Sequence, residues 1–390
     1  MLTDLTEEQL RAASPLKWGL APTGVLAAWV AETDFALAEP VAEALTRAVR
    51  NGVTGYPPDD ARSGLREAVA GFAERHWGWP VSPEQVVSCV DVMSGIRLVL
   101  EFVAPPGPVV IPTPAYPPFL QIAEVAGRER VDLPLDPDTD PAMLDLDQLD
   151  AAFALGARTL LLCNPHNPWG RVFTRAELMA IDEVVQRHNA FVIVDEIHAP
   201  LTLEGREHVP YLSLPSGAAH SVALLSASKA FNIAGLKCAQ LMATDPEILK
   251  ALNAIPMVAN HSTSPLGLVA SAAAYEFGDD FLLALNDRLT DNATLFAAGL
   301  SQNVPLAHSR ALEGTYLAWV DLRAYGVDDP SRHARKVGKV LVYSGRHFGA
   351  GGEGHVRVNL GTSTERVHEI VRRLASAMAT PDGGGQGETR

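Results

Sequence analysis

The sequence predicts an α/β fold built on a mostly parallel sheet, followed by a smaller α+β unit. Three observations predict it. Seven short, nearly continuous apolar runs recur along residues 85–243, amphipathic segments of helical period separate several of them, and the pattern changes after residue 300. Apolar strands alternating with helices describe a sheet covered on both faces.

The elements follow in order. Residues 1–40 carry prolines at 15, 22 and 40 and read as an extended arm, and "PVAEALTRAVRNG" then has helical spacing with a Gly stop. The expected strands are "QVVSCV" (85–90), "PVVIP" (108–112), "ERVDLP" (129–134), "RTLLLC" (158–163), "FVIVDE" (191–196), "VALLSAS" (222–228) and "CAQLMA" (238–243). "TRAELMAIDEVVQRHN" (174–189) is amphipathic, and residues 264–300 are expected to be helical throughout. The strands "GTYLAWVDL" and "HVRVNL" and the helix "STERVHEIVRRLASAMA" form the smaller unit, and the Gly-rich tail 381–390 is expected to be disordered. The expected division is an N-terminal arm 1–45 contributing to the small domain, a large domain 46–285 and a small domain 286–380.

Composition narrows the function classes. A net charge of −15 disfavours non-specific binding to nucleic acid or to an anionic membrane. Cys89, Cys163 and Cys238 are widely spaced in apolar surroundings, with neither a metal-type pair nor a disulfide framework. They read as buried hydrophobes of a reducing compartment. The N-terminus has no basic segment followed by an apolar run, and no apolar stretch is long enough to span a bilayer, so a cytoplasmic protein is expected.

Four loops at strand ends carry the chemistry, where open α/β sheets bind their ligands. In "FVIVDEIHAP" an apolar strand delivers Asp195, which can hold a metal, act as a base, pair with a cationic ring nitrogen or simply cap the next turn. In "CNPHNPWGRV" prolines preset a rigid turn on which Asn164 and Asn167 can offer amides, or merely form Asx turns. In "DVMSGIRLVLEFV" Ser94 and Gly95 open a helical pattern whose free N–H groups suit an anion. The last, "LLSASKAFNIAGLKCAQLMA", puts Lys229 among small and apolar residues, beside Ser226 and Ser228 and eight residues before Lys237. Hydroxyls and one cation suit a phosphate; the other lysine, desolvated, suits an imine with an aldehyde.

Together "NPHNPWG", "VDEIH" and "SASKAFNIAGLK", in this order, resemble the fold-type I pyridoxal-phosphate enzymes related to aminotransferase classes I and II. The spacings also fit, with 28 residues from Asn167 to Asp195 and 34 from Asp195 to Lys229. "LKWGLAPTGVLAAWVAETDF" and "GYPPDDARSGLREAVAGFAERHWGW" are similar to the cystathionine β-lyase-like C–S lyases of MalY/PatB type. The resemblance runs from about Lys17 to the last helix.

It implies pyridoxal 5′-phosphate as cofactor and the following roles. Lys229 matches the lysine that links to the cofactor and moves the Cα proton, Asp195 the acid that pairs with the pyridine nitrogen, and Asn167 the donor to the ring oxygen. Tyr116 matches the aromatic that stacks on the ring. Ser94, Gly95, Ser226 and Ser228 match phosphate-cup positions, and Lys237 falls where many relatives carry a phosphate-binding arginine. Arg357 matches the clamp for the substrate α-carboxylate; Trp29, apart from the resemblance, reads as packing or pocket lining. Tyr56 matches a tyrosine that reaches the neighbouring subunit's phosphate, which implies a homodimer with shared active sites.

The implied activity is β-elimination from a sulfur amino acid. An aminotransferase using the same residues is the enzymatic alternative, and a cofactor-binding regulator the non-enzymatic one. Relatives of this branch often read Asp-Met-Asp-Phe where this chain has "AETDF" (31–35), so Glu32 and Thr33 alter the arm expected near the substrate. His198 reads as a structural, hydrogen-bonded histidine and Glu196 as facing away, while Arg346 and His347 receive no role.

Overall fold

The computed structural model describes residues 2–58, 62–135 and 139–379; the tail 381–390, expected to be disordered, lies outside the described residues. All seven expected strands form one sheet: β1 (Val86–Cys89), β2 (Val109–Thr113), β3 (Arg130–Pro134), β4 (Thr159–Cys163), β5 (Phe191–Asp195), β6 (Ser221–Leu225) and β7 (Ala239–Met242). Their spatial order is β1-β7-β6-β5-β4-β2-β3. The pairs β2–β3, β2–β4, β4–β5 and β5–β6 are parallel, while β7 runs antiparallel to both β6 and β1. The connection from β6 to β7 contains only the 3₁₀ turn Ala234–Leu236. Without a crossover helix the chain re-enters the sheet at the end it left, so β7 is reversed.

Both faces of the sheet are buried except along the edge strand β3, as nearly continuous apolar strands require. Along β4 to β6, Leu160, Leu162, Val192, Val194, Ala223 and Leu225 enter one core. Their alternates Leu161, Cys163, Ile193, Val222 and Leu224 enter another, under the helix Val92–Phe102. The helix Arg175–Arg187 covers the first face, opened by a capping box between Thr174 and Glu177.

A four-stranded antiparallel sheet follows, formed by β8 (His308–Ser309), β9 (Leu317–Asp321), β10 (Tyr343–Ser344) and β11 (His355–Asn359) in the order β10-β11-β9-β8. Its core joins Val320, Val356 and Val358 with Phe296, Leu300, Ile370 and Leu374 of the helices Asp279–Asn303 and Thr364–Met378. Leu10, Trp18, Leu26 and Ala28 from the arm enter this same core, and Leu26–Ala27 pairs with Val340–Leu341.

Two elements differ from the sequence expectation. The arm is not extended throughout: Glu7–Ala13 is helical, with a capping box from Thr6 and Gln9 and with Leu10 buried. Residues 264–300 do not form one helix but two, Pro265–Phe277 and Asp279–Asn303, which meet at Gly278. A Cβ at Gly278 would stand 2.3 Å from Ala274 O and from the Phe231 ring, so only glycine allows this close approach.

Candidate active site

The C-terminal ends of β1, β2, β4, β5 and β6 share one edge of the sheet, the usual ligand edge of such folds. A cavity of about 620 Å³ lies there, closed on its far side by the arm and by β10 and β11. Lys229, Asp195, Asn167, Tyr116, Ser226, Ser228, Lys237, Arg357 and Trp29 all line it. These nine residues thus converge from four loops and from one strand of each sheet.

Lys229 follows β6 and is half-buried. Its Nζ donates to Ala31 O at 3.1 Å and forms no ion pair among the described residues. Burial first, and the Arg357 charge second, lower its pKa from 10.5 to about 8, against the opposite pull of Glu32 and Asp195. Asp195 ends β5. It accepts from Ile197 N at 3.0 Å, and burial raises its pKa to about 7 despite that bond and the nearby lysine. A carboxyl so desolvated gains most from a cation placed against it.

The two asparagines of "NPHNPWG" divide their work. Asn164 Oδ1 accepts from Phe173 N at 3.0 Å and its backbone N–H donates to Asp195 O at 3.0 Å, so Asn164 holds the loop. Asn167 faces the cavity, where its Oδ1 accepts from Arg357 Nη1 at 3.0 Å. That bond leaves Nδ2 as the free donor. Arg357, on β11, also donates to Trp29 O at 3.1 Å and stacks over Tyr343 and Phe348 at 5.1 Å each. Burial lowers its pKa to about 10, which leaves it charged at neutral pH.

An anion cup forms at the other end of the cavity. Ser228 and Lys237 face it. Ser226 lines it too, but its hydroxyl donates to Cys238 O at 2.8 Å and accepts from Ser228 N at 3.2 Å, which shapes the lysine loop. The helix expected to open at Ser94 and Gly95 begins earlier, at Val92, because Asp91 is the N-cap and accepts from Ser94 N at 2.8 Å. Asp91, Val92 and Met93 therefore line the cavity, and Ser94 and Gly95 do not. Gly95 instead lets the helix close on the sheet: a Cβ there would stand 2.7 Å from Leu224 Cδ2. Lys237 Nζ lies 2.9 Å from Asp91 Oδ2.

Tyr56 is 98% exposed and stands outside this cavity in its own chain. Glu196 accepts from Tyr211 N at 2.9 Å, a structural bond away from the cavity. Arg346 pairs with Asp328 at 2.8 Å, also outside. Trp169 is buried below the Arg310 guanidinium at 4.3 Å and does not touch the cavity.

His198 departs from its structural reading. It lines the cavity, its Nδ1 has no hydrogen-bond partner, and burial with the Lys229 and Arg357 charges pushes its pKa well below 6.5. It is a neutral imidazole in the cavity wall. Its position three residues after Asp195, where the chain turns back over the strand end, was the available signal. Tyr343 was also missed, and no local motif marks it. Three free cysteines are buried, and two of them, Cys163 and Cys238, touch the cavity wall. Among the described residues no group of His, Cys, Asp and Glu suits a metal ion, and no helix is long and apolar enough to cross a membrane.

Comparison with known proteins agrees with this geometry. The aminotransferase class I and II family model matches residues 30–374. The chain is 37% identical to the cystathionine β-lyase of Corynebacterium glutamicum, over 95% of this chain and 98% of that one. A solved structure from Corynebacterium diphtheriae, described as a candidate PLP-dependent β-cystathionase, matches with TM-score 0.93 and 34% identity over 98% of this chain and 100% of that one. The PLP-bound C–S lyase of Staphylococcus hominis matches with TM-score 0.87 and 27% identity, over 95% of this chain and 97% of that one. With the family model spanning the cavity residues of both sheets, the chain belongs to the aminotransferase class I and II family.

Proposed function

We propose that this protein is a pyridoxal 5′-phosphate-dependent C–S β-lyase, cleaving cystathionine or a related S-substituted L-cysteine to a thiol, pyruvate and ammonia. The observation that carries the reading is one cavity holding a desolvated lysine amine, a buried carboxyl and a buried arginine fork. Relatives matched along nearly the whole chain bear the names of C–S lyases.

The residues present fit the cofactor. Asp195 suits a cationic ring nitrogen, Tyr116 a ring face, and Asn167 Nδ2 a ring oxygen. Ser228, Lys237 and the helix N-terminus at Val92 suit the phosphate. When bound, pyridoxal phosphate supplies an electron sink for the pair left behind by the Cα proton.

The chain's own residues do the rest. Arg357 holds the substrate α-carboxylate, and Lys229, neutral above a pKa of about 8, takes the Cα proton. The Cα–H and Cβ–S bonds break, the thiol leaves with a proton, and water replaces nitrogen at Cα. One water and one cystathionine give one homocysteine, one pyruvate and one ammonia, with no external oxidant or reductant.

We further place the domain boundaries at 1–45, 46–285 and 286–380. The active form is a homodimer of a reducing cytoplasm, in which Tyr56, bare in one chain, completes the partner's phosphate cup. The deciding experiment adds L-cystathionine to purified holoenzyme without any 2-oxo acid. Release of pyruvate and thiol supports the lyase; turnover only after a 2-oxo acid is supplied makes the protein an aminotransferase instead.

A further inference from the structure

The turn that carries Asn167 is fastened from outside the cavity. Within it, Gly170 N donates to His166 O and His166 N to Arg171 O, both at 2.7 Å. Against its outer side lies the segment 312–314, which leads into β9. Glu313 N and Gly314 N both donate to Gly170 O, at 2.9 and 3.0 Å. The approach is close: a Cβ on Gly314 would stand 2.8 Å from Val172 Cγ2 and 3.0 Å from Pro165 Cβ. The same segment holds the chain beyond β5, since Leu203 N donates to Glu313 O at 3.0 Å and Thr315 N to Leu201 O at 2.8 Å.

The Glu313 side chain completes the fastening. It is buried, and one of its oxygens accepts from Arg171 Nη1 at 2.6 Å and from Val172 N at 2.9 Å. Its other oxygen lies 3.0 Å from Arg206 Nη2. Arg171 is buried as well, and its fork also donates to Val172 O at 2.6 Å, to Ala142 O at 3.2 Å and to Glu177. Losing the Glu313 charge would strand part of that fork in a desolvated place. Neither Glu313 nor Arg171 lines the cavity, whereas Asn167 does. Among the described residues the Asn167 side chain has one hydrogen bond, from Arg357 Nη1, so the backbone of the turn sets where Nδ2 stands.

Resting on the reading that Asn167 Nδ2 donates to the ring oxygen of the cofactor, we propose that Glu313 is a positioning residue for that contact. Through Arg171 and Val172 it holds the turn of Asn167 and so sets the strength of the hydrogen bond. A donor on the ring oxygen draws away electron density that would otherwise stabilise a proton on the Lys229 nitrogen joined to the cofactor. Loosening the turn therefore raises the pH at which that proton leaves.

The test titrates the visible absorbance of holoenzyme against pH without substrate, so the reading does not depend on lyase or aminotransferase activity. Asn167→Ala is expected to raise the midpoint by about one pH unit and Glu313→Gln by about half a unit. In the double variant the midpoint matches that of Asn167→Ala, because Glu313 has nothing left to act through. Arg171→Lys, which keeps the cation and loses the fork, shifts the midpoint in the same direction. A merely structural role would leave the midpoint of Glu313→Gln at the wild-type value, or let the two single shifts add, and either result sinks the proposal alone. An Asn167→Ala midpoint equal to that of the wild type sinks the Asn167 reading, and the proposal with it.

If Glu313→Gln retains no cofactor, amide hydrogen exchange of the apoproteins decides. Residues 164–172 must exchange about tenfold faster than in the wild type while β6 is unchanged. Equal exchange in the turn overturns the proposal, as does a rise of the same size in β6. Should Glu313→Gln fail to fold, Arg171→Lys takes its place in both comparisons.

Discussion

Lys17 and Lys229 are both lysines enclosed by protein, and their surroundings are opposite. Lys17 is fully buried, with Nζ 2.8 Å from Asp34 Oδ1, and that same oxygen accepts from Trp18 Nε1 at 2.8 Å. Among the described residues Lys229 has a single hydrogen bond, to a carbonyl, with an arginine among its neighbours and a pKa drawn down to about 8. Burial alone does not make a lysine reactive; burial without a partner does. The arm fastens one lysine and leaves the other free to react, although it touches both.

The comparison can be broken at its strongest point first. Lys229→Ala is expected to abolish pyruvate release, by roughly 10³-fold or more, while the melting temperature of the apoprotein does not fall. Retained activity would remove Lys229 from the chemistry. Lys17→Met is the mirror image: losing one partner of a buried pair costs about 3–5 kcal/mol, readable as a lower urea midpoint at pH 7. An unchanged midpoint would mean that Asp34 is satisfied without Lys17.

The titration of Lys229 sharpens the contrast without a mutation. Its amine is neutral above a pKa of about 8, and the neutral form attacks an aldehyde. Cofactor uptake by apoprotein should accelerate about tenfold per pH unit below 8 and level off above it. A rate still climbing toward pH 10 would indicate an ordinary, hydrated lysine.

The smallest effect concerns the second cation, Lys237. Its pair with Asp91 is 54% and 35% exposed at the side chains, so it is worth at most about 1 kcal/mol. Asp91→Asn removes a negative charge from the anion cup and frees Lys237. Pyridoxal phosphate is expected to bind two- to fivefold tighter, by about that energy, in an absorbance titration. Weaker binding would show that Asp91 positions Lys237 for the phosphate.

Much of this was legible in the chain. Apart from the polar edge strand β3, each strand of the large sheet announced itself by an apolar run whose two faces both needed cover, and Lys229, Asp195 and Asn167 stood where those runs ended. The break at Gly278 was not legible, because it depends on the Phe231 ring lying against it. Nor was the start of the helix at Val92: "MSG" reads as a helix opening, and only the Asp91 cap bond moves it upstream. The arm helix Glu7–Ala13 carried its capping box in plain view, but the prolines around it favoured an extended reading.

The sequence by itself determined the sheet, its periodicity and the residue types at its C-terminal edge, because strand burial and turn chemistry are local properties. Only the tertiary structure decided which carboxylates have partners. Asp34 meets Lys17, Asp91 meets Lys237 and Glu32 meets none among the described residues, since each outcome depends on arm, loop and sheet arriving at one place. It also turned His198 from a structural histidine into a neutral group at the cavity wall, through desolvation and two cations brought from distant parts of the chain.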